Sequence, residues 1–159
     1  MNNDDEIKFN RVYEKYSVML YRVSFLYTGS RDDSEDILQD VFIKYLYKSP
    51  PFKDEVHEKA WLIRTTKNLC LDFKKSKKNN SISLDAAALQ SIDFGIDDSY
   101  LDVRQKLLQL DDKYKIVIYL YYYEDYSVSM IASSLKITSS NVKSRLKRAR
   151  DILKIELED

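Results

Sequence analysis

The sequence predicts an all-α protein of two small helical domains joined by a flexible linker, and three observations carry that prediction. Two glycines and two prolines among 159 residues are too few for the tight turns of sandwiches or barrels. Apolar residues recur three and four positions apart over long windows, with no alternating strand pattern. Between two such regions, the stretch from Lys77 to about Asp97 turns Ser-, Asn- and Asp-rich and loses its apolar period, as linkers do. The expected organisation is an N-terminal helical bundle over 1–76 and a linker over 77–97 with at most a short helix near Asp85 to Gln90. A C-terminal four-helix domain with a helix-turn-helix follows over 98–159.

The first helix is expected from about Asp5 to Tyr27. Its inward stripe is Phe9, Val12, Tyr13, Tyr16, Met19, Leu20, Val23 and Leu26, and Gly29 ends it. The second opens on Asp32-Asp33-Ser34-Glu35, whose carboxylates suit the positive end of the helix dipole. It buries Ile37, Leu38, Val41, Phe42, Tyr45 and Leu46. Pro50-Pro51 stops it by removing amide donors, and a polar loop from Ser49 to about Glu55 follows. A third helix, from Glu58 to about Lys75, turns Trp61, Leu62, Thr65, Leu69, Cys70 and Phe73 inward and ends in lysines. Those lysines also complement the negative end of the helix dipole, so charge alone does not make them a binding surface.

In the second half, Leu101, Val103, Leu107, Leu108 and Leu110 lead into a helix from Asp111 or Asp112 to about Tyr123, with Ile116, Val117 and Leu120 suited to a core. Tyr119, Tyr121, Tyr122, Tyr123 and Tyr126 read as amphipathic packing rather than base-stacking devices. The segment from Ser127 to Arg150 reads as a helix-turn-helix. Val128, Ile131, Ala132 and Leu135 share one helical face, Lys136-Ile137-Thr138 forms a short turn, and Val142, Leu146, Ala149 and Leu153 repeat the face. Thr138 or Ser139 caps the second helix. The outer face of that helix carries Ser140, Asn141, Lys143, Ser144, Arg145, Lys147, Arg148 and Arg150, with no acid among them. A Lys/Arg-rich face is ordinarily only a solvated surface. On the second helix of a bihelical unit with a compact turn, it matches the arrangement that enters a DNA major groove.

The net charge is zero, but the charges are sorted along the chain, and the sorting is more informative than the sum. Acids gather at Asp32, Asp33, Glu35, Asp36 and Asp40, and again at Asp93, Asp97, Asp98, Asp102, Asp111 and Asp112; bases gather at Lys74, Lys75, Lys77 and Lys78 and from Lys143 to Arg150. Catalysis has no foothold in this pattern. The one histidine, His57, falls in the charged loop with no partner for a metal or a triad, and isolated Gly29 and Gly95 make no phosphate cradle. No enzyme activity, cofactor or metal is expected. The single cysteine, Cys70, reads as a core residue and allows no internal disulfide, which fits a reducing cytoplasm. No signal peptide and no apolar run near the ~18 residues of a membrane span is seen, so no membrane insertion is expected.

With both halves in view, the chain resembles a bacterial RNA polymerase sigma factor of the extracytoplasmic-function (ECF) type. Asp33-Ser-Glu-Asp-Ile-Leu-Gln-Asp-Val-Phe42 is similar to the acidic, Gln-containing helix with which that family grips the clamp coiled coil of polymerase. Ala60-Trp-Leu-Ile-Arg-Thr-Thr-Lys-Asn-Leu-Cys-Leu-Asp-Phe73 is similar to its promoter-melting helix, and Asn141-Val-Lys-Ser-Arg-Leu-Lys-Arg-Ala-Arg150 to its recognition helix. The resemblance implies a polymerase contact through Asp36, Gln39, Asp40 and Phe42. It implies a minus-ten contact through the Phe52 to His57 loop, Trp61, Arg64, Lys67, Asn68, Lys74 and Lys75, although general burial statistics favour Trp61 as a packing residue. For the minus-thirty-five element it implies base-edge candidates Ser140, Asn141, Lys143, Ser144 and Lys147, with Arg145, Arg148 and Arg150 as phosphate anchors.

The implied partners are core RNA polymerase, promoter DNA and an anti-sigma protein. Many relatives carry Gly at the position of Lys136 and Thr at that of Asn141. If the turn there is left-handed, the lysine costs about 1 kcal/mol. The alternative reading is a stand-alone helix-turn-helix regulator whose first half dimerises or senses a ligand.

Overall fold

The computed structural model describes residues 2–76 and 101–158, with backbone alone over 101–104 and 155–158. The expected linker and its short helix lie outside the described residues. The chain divides into two compact units, Met1–Leu84 and Asp85–Asp159, and every described element is helical.

The first unit is a three-helix bundle: α1 (Asn3–Thr28), α2 (Arg31–Lys48) and α3 (Glu55–Ser76), each packed on the other two. Asn2 caps α1, its Oδ1 accepting from the Asp5 amide at 2.8 Å, so the helix starts earlier than the apolar stripe suggests. Gly29 ends it in the left-handed region (φ 65°), its amide donating to the Phe25 carbonyl at 2.9 Å. Ser30, two residues before the expected signal at Asp32, caps α2.

The core is Val12, Tyr16, Met19, Leu20, Val23 and Leu26 from α1, Ile37, Val41, Phe42 and Tyr45 from α2, and Ala60, Leu62, Ile63 and Cys70 from α3. The last turn of α1 is buried all round, which brings two polar residues inside. Ser24 donates to the Leu20 carbonyl at 2.9 Å, and Thr28 and Ser34 hydroxyls meet at 2.8 Å, so neither is stranded.

Three expectations change. Tyr13 and Leu46 lie at the edge of the core, 44% and 37% exposed. On α3 the buried sector is Leu62, Ile63, Thr66 and Cys70, so Thr65 stands half out while Thr66 turns in, its hydroxyl donating to the Leu62 carbonyl at 2.8 Å. Finally, α3 begins at Glu55 because Asp54 caps it, Oδ1 accepting from the His57 amide at 2.8 Å. His57 is therefore a half-buried residue of the first helical turn, with Nδ1 accepting from the Lys53 amide at 3.1 Å.

The second unit contains α4 (Leu101–Gln109), α5 (Asp112–Ile118), a π-helical turn (Tyr119–Tyr123), α6 (Val128–Leu135) and α7 (Ser139–Glu158). Its core joins Leu107, Leu108 and Leu110 to Ile116, Val117, Tyr119, Leu120, Ile131, Leu135, Val142, Leu146 and Ala149. The π turn widens the end of α5. There the Tyr126 amide reaches back to the Leu120 carbonyl at 2.9 Å, and Tyr119, fully buried, donates its hydroxyl to Glu124 at 2.5 Å. The expected helix to Tyr123 thus ends in π rather than α geometry. Lys115, also buried, is satisfied by Asp112 at 3.2 Å and by the Leu108 carbonyl at 3.5 Å.

Candidate nucleic-acid interface

The helix-turn-helix forms as the sequence predicts. Ser127 caps α6, its Oγ accepting from the Met130 amide at 3.1 Å. Lys136 closes α6 with φ 56° and ψ 47°, the left-handed cap that favours glycine. Thr138, not Ser139, caps α7, accepting from the Asn141 amide at 3.0 Å. Val142, Leu146 and Ala149 seal α7 onto the unit, leaving Ser140, Lys143, Ser144, Lys147, Arg148 and Arg150 exposed and Asn141 and Arg145 half-buried.

Helical spacing sorts these side chains. Ser140, Ser144 and Lys147 (i, i+4, i+7) point directly away from the core sector. Asn141, Arg145 and Arg148 form one flank, and Lys143 and Arg150 form the other. Each flank has an internal fastening. Asn141 Oδ1 accepts from Arg145 Nε at 3.0 Å, so this amide already spends an acceptor within the protein. Arg150 donates to the Tyr122 hydroxyl at 2.9 Å, and that bond raises the arginine above its ordinary pKa. Tyr122, expected to pack, is instead 47% exposed and holds a cation of the outer helix. Its only sequence signal is its place in a tyrosine run longer than one core face can absorb.

In the first unit, Trp61, Arg64 and Asn68 (i, i+3, i+7) share an outward sector of α3 with Lys75 two turns on, and Lys67 and Lys74 share an adjoining flank. Asn68 and Lys75 are exposed; Trp61, Arg64, Lys67 and Lys74 are half-buried. The indole is the centre of an aromatic cluster, with Phe52 at 5.8 Å and Tyr45 at 6.2 Å between ring centroids; Phe52 in turn meets the His57 ring at 5.3 Å. Trp61 therefore packs, as burial statistics favoured, but at the rim where the loop meets α3. The expected Phe52 to His57 loop ends at Asp54, because residues 55–57 are helical.

A buried carboxylate that sequence reasoning passed over fixes this region. Glu58, 5% exposed, accepts from the Tyr45 hydroxyl at 3.0 Å and lies 3.9 Å from Arg11, so one residue of α3 ties both other helices. Burial, followed by the bond to Glu58 and its charge, pushes the Tyr45 phenol above its usual range; burial and the Glu58 charge do the same to Tyr16. Beside it, Glu55 pairs with Lys15 and accepts from Tyr16 at 3.1 Å. The signal for Glu58 in the sequence was an acid inside an apolar period, which an exposed first turn explains equally well.

On α2, Asp36, Gln39 and Asp40 are exposed together. Phe42 is not with them. It is 4% exposed and packs on Phe9 at 5.8 Å and Tyr13 at 4.9 Å, supporting the helix from behind. The apolar side chains on the acidic face are Ile43 and Tyr47, 52% and 80% exposed, which lie seven and eleven residues after Asp36. Ile43 borders a groove between α1 and α2 that Tyr13, Leu38, Gln39 and Leu46 also line. Apolar residues off the core period were the available signal. Among the described residues there is no group of His, Cys, Asp and Glu that could hold a metal ion, and no helix is long and apolar enough to cross a membrane.

Comparison with known proteins follows the same division. A Sigma-70 region 2 model matches residues 12–80 and a Sigma-70 region 4 model matches residues 100–153. The chain is 30% identical to RNA polymerase sigma factor SigZ of Bacillus subtilis over 129 residues, covering 78% of this chain and 72% of that protein. It is 27% identical to ECF RNA polymerase sigma factor SigW of the same organism over 171 residues, covering 98% and 91%. In fold it is similar to CnrH, solved in complex with the cytosolic domain of CnrY (TM-score 0.71, 22% identity, 96% of this chain and 89% of that one). It is also similar to the sigma factor RpoE of Bartonella quintana, solved with the anti-sigma factor NepR (TM-score 0.70, 20% identity, 95% and 97%).

Proposed function

The chain belongs to the sigma-70 family as an ECF-type RNA polymerase sigma factor, and from that premise we propose how its surfaces divide the work. A sigma factor directs core RNA polymerase to promoters. The stand-alone regulator is not favoured, because the first half matches region 2.

Asp36, Gln39 and Asp40 contact polymerase, the carboxylates accepting charge-assisted hydrogen bonds from cationic side chains, while Phe42 holds α2 in place from within. Asn68 offers a donor and an acceptor to an unstacked base of the minus-ten element, with Trp61 and Arg64 beside it; Lys67, Lys74 and Lys75 hold phosphates. Ser140, Ser144 and Lys147 face the base edges of the minus-thirty-five element, with Asn141 and Lys143 at their sides; Arg145, Arg148 and Arg150 grip phosphates.

The functional domains are 1–76 and 98–159, joined over 77–97. Linking them raises the effective concentration of the second contact once the first has formed, so each DNA contact can be weak alone. The protein carries no chemistry of its own, works in the cytoplasm and is restrained by an anti-sigma protein, as RpoE, solved with the anti-sigma factor NepR, suggests by likeness.

The observation that carries this reading is the separation of an exposed acidic row on α2 from an acid-free outer face over Ser140–Arg150 in the other unit. Transcription from fragmented genomic DNA of the source organism by core polymerase, with 5′ ends sequenced, tests it. The chain should create discrete start sites sharing two spaced sequence elements. Start sites indistinguishable from those of core polymerase alone would refute it.

A further inference from the structure

The groove beside the outer face of α7 is lined from two helices. Lys113 and Tyr114 of α5 face Asn141, Ser144, Arg145 and Arg148 of α7 across a shallow opening. Three cations thus converge where the helix flank ends. They are not loosely placed. The Lys113 ammonium lies over the Tyr114 ring, 5.1 Å from its centroid, a contact that restrains the long side chain. Arg145 is restrained in turn by its bond to Asn141 at 3.0 Å. Among the described residues no acid lines the groove to neutralise them, and a cluster of like charges at close range is costly until an anion joins it.

We infer that this groove is a phosphate subsite for duplex DNA in which Lys113 of α5 neutralises a backbone phosphate next to the one held by Arg145 and Arg148, and in which Asn141 aims Arg145 at its phosphate instead of reading a base. The inference rests on the proposed DNA-binding role of the second unit and adds to it a contact from outside the recognition helix. A clamp spanning two helices fixes the angle at which α7 lies on the duplex, which a row of cations on one helix cannot do. Phosphate contacts of this kind set register and orientation without carrying sequence information.

The test uses the full chain and a mixed-sequence duplex, so it needs neither a promoter nor polymerase. Fluorescence anisotropy gives the binding constant across about 25 to 200 mM salt, where each neutralised phosphate adds about 0.9 to the logarithmic salt slope. Lys113→Gln should lower that slope by about 0.9 and weaken binding about eightfold near 0.1 M salt. Lys113→Arg should restore both. Lys106→Gln removes a lysine of the same unit that does not line the groove, and should leave the slope unchanged. Asn141→Ala should weaken this non-specific binding too, since the amide acts through Arg145.

A Lys113→Gln slope equal to that of wild type, or a loss matched by Lys106→Gln, would overturn the inference, as would a wild-type chain that fails to bind the duplex at the lowest salt. Unchanged start sites in a Lys113→Gln transcription reaction, together with a lowered slope, would support the subsite and leave the sigma-factor reading standing. A lowered slope for Lys113→Gln with no start sites from the wild-type chain would support the subsite and count against the sigma-factor reading.

Discussion

Replacing Lys136 by glycine should make the second unit more stable, and the size of the gain follows from one backbone angle. Lys136 closes α6 at φ 56° and ψ 47°, where the Cβ of an L-residue crowds the following carbonyl at a cost of about 1–2 kcal/mol. Glycine escapes that cost but gives back roughly 0.4–1 kcal/mol because its unfolded chain is freer. The net expectation is a gain of about 1 kcal/mol, which for a unit of this size raises its melting midpoint by about 4–8 °C. Asp125, also left-handed at φ 55°, should yield less, since a short polar side chain tolerates that region.

Calorimetry of the full chain would resolve the transition. Trp61, the only tryptophan, identifies the melting of the first unit by its fluorescence, which should not move. Lys136→Ala is the decisive control, because it removes the lysine side chain but keeps Cβ. If alanine stabilises as much as glycine, or glycine gives no gain, the left-handed cap does not carry the strain assigned to it.

Glu58→Ala should destabilise the first unit by about 2–3 kcal/mol in denaturant melts followed by Trp61 fluorescence, because the buried Tyr45 hydroxyl loses its acceptor; Glu58→Gln, which keeps an acceptor, should cost much less. Stability should fall at alkaline pH. The raised phenol of Tyr45 contributes fully below its unfolded value of 10.0, and above that pH the unfolded state ionises while the folded one resists. Tyr45→Phe should flatten this fall in urea melts run from neutral to alkaline pH. Asp36→Lys combined with Asp40→Lys should leave the melting profile unchanged and reduce binding to core polymerase at least tenfold in a pull-down titration, since both side chains are exposed.

The helical class, the three helices of the first unit and the helix-turn-helix were all legible, because each rests on a local signal: an apolar period, a capping residue, a stop. The left-handed turn at Lys136 was legible as a conditional cost and proved real. Phe42 was legible as buried from the apolar period of α2, and its packing on Phe9 and Tyr13 agrees with that period rather than with the polymerase contact that the resemblance implied. What escaped was decided by tertiary packing. Glu58 looks like a solvated first-turn acid until Tyr45 of another helix is set against it. Tyr122 and Lys113 matter through residues of α7 more than twenty positions away, beyond the reach of any periodicity.

Docking to polymerase through α2 is the step on which every proposed promoter contact depends. Bacterial core RNA polymerase mixed with the full chain at low salt and passed over a size-exclusion column tests it directly. Co-elution of a stoichiometric complex, lost on double charge reversal at Asp36 and Asp40, is the predicted result. Separate elution of the wild-type chain from core polymerase would contradict it.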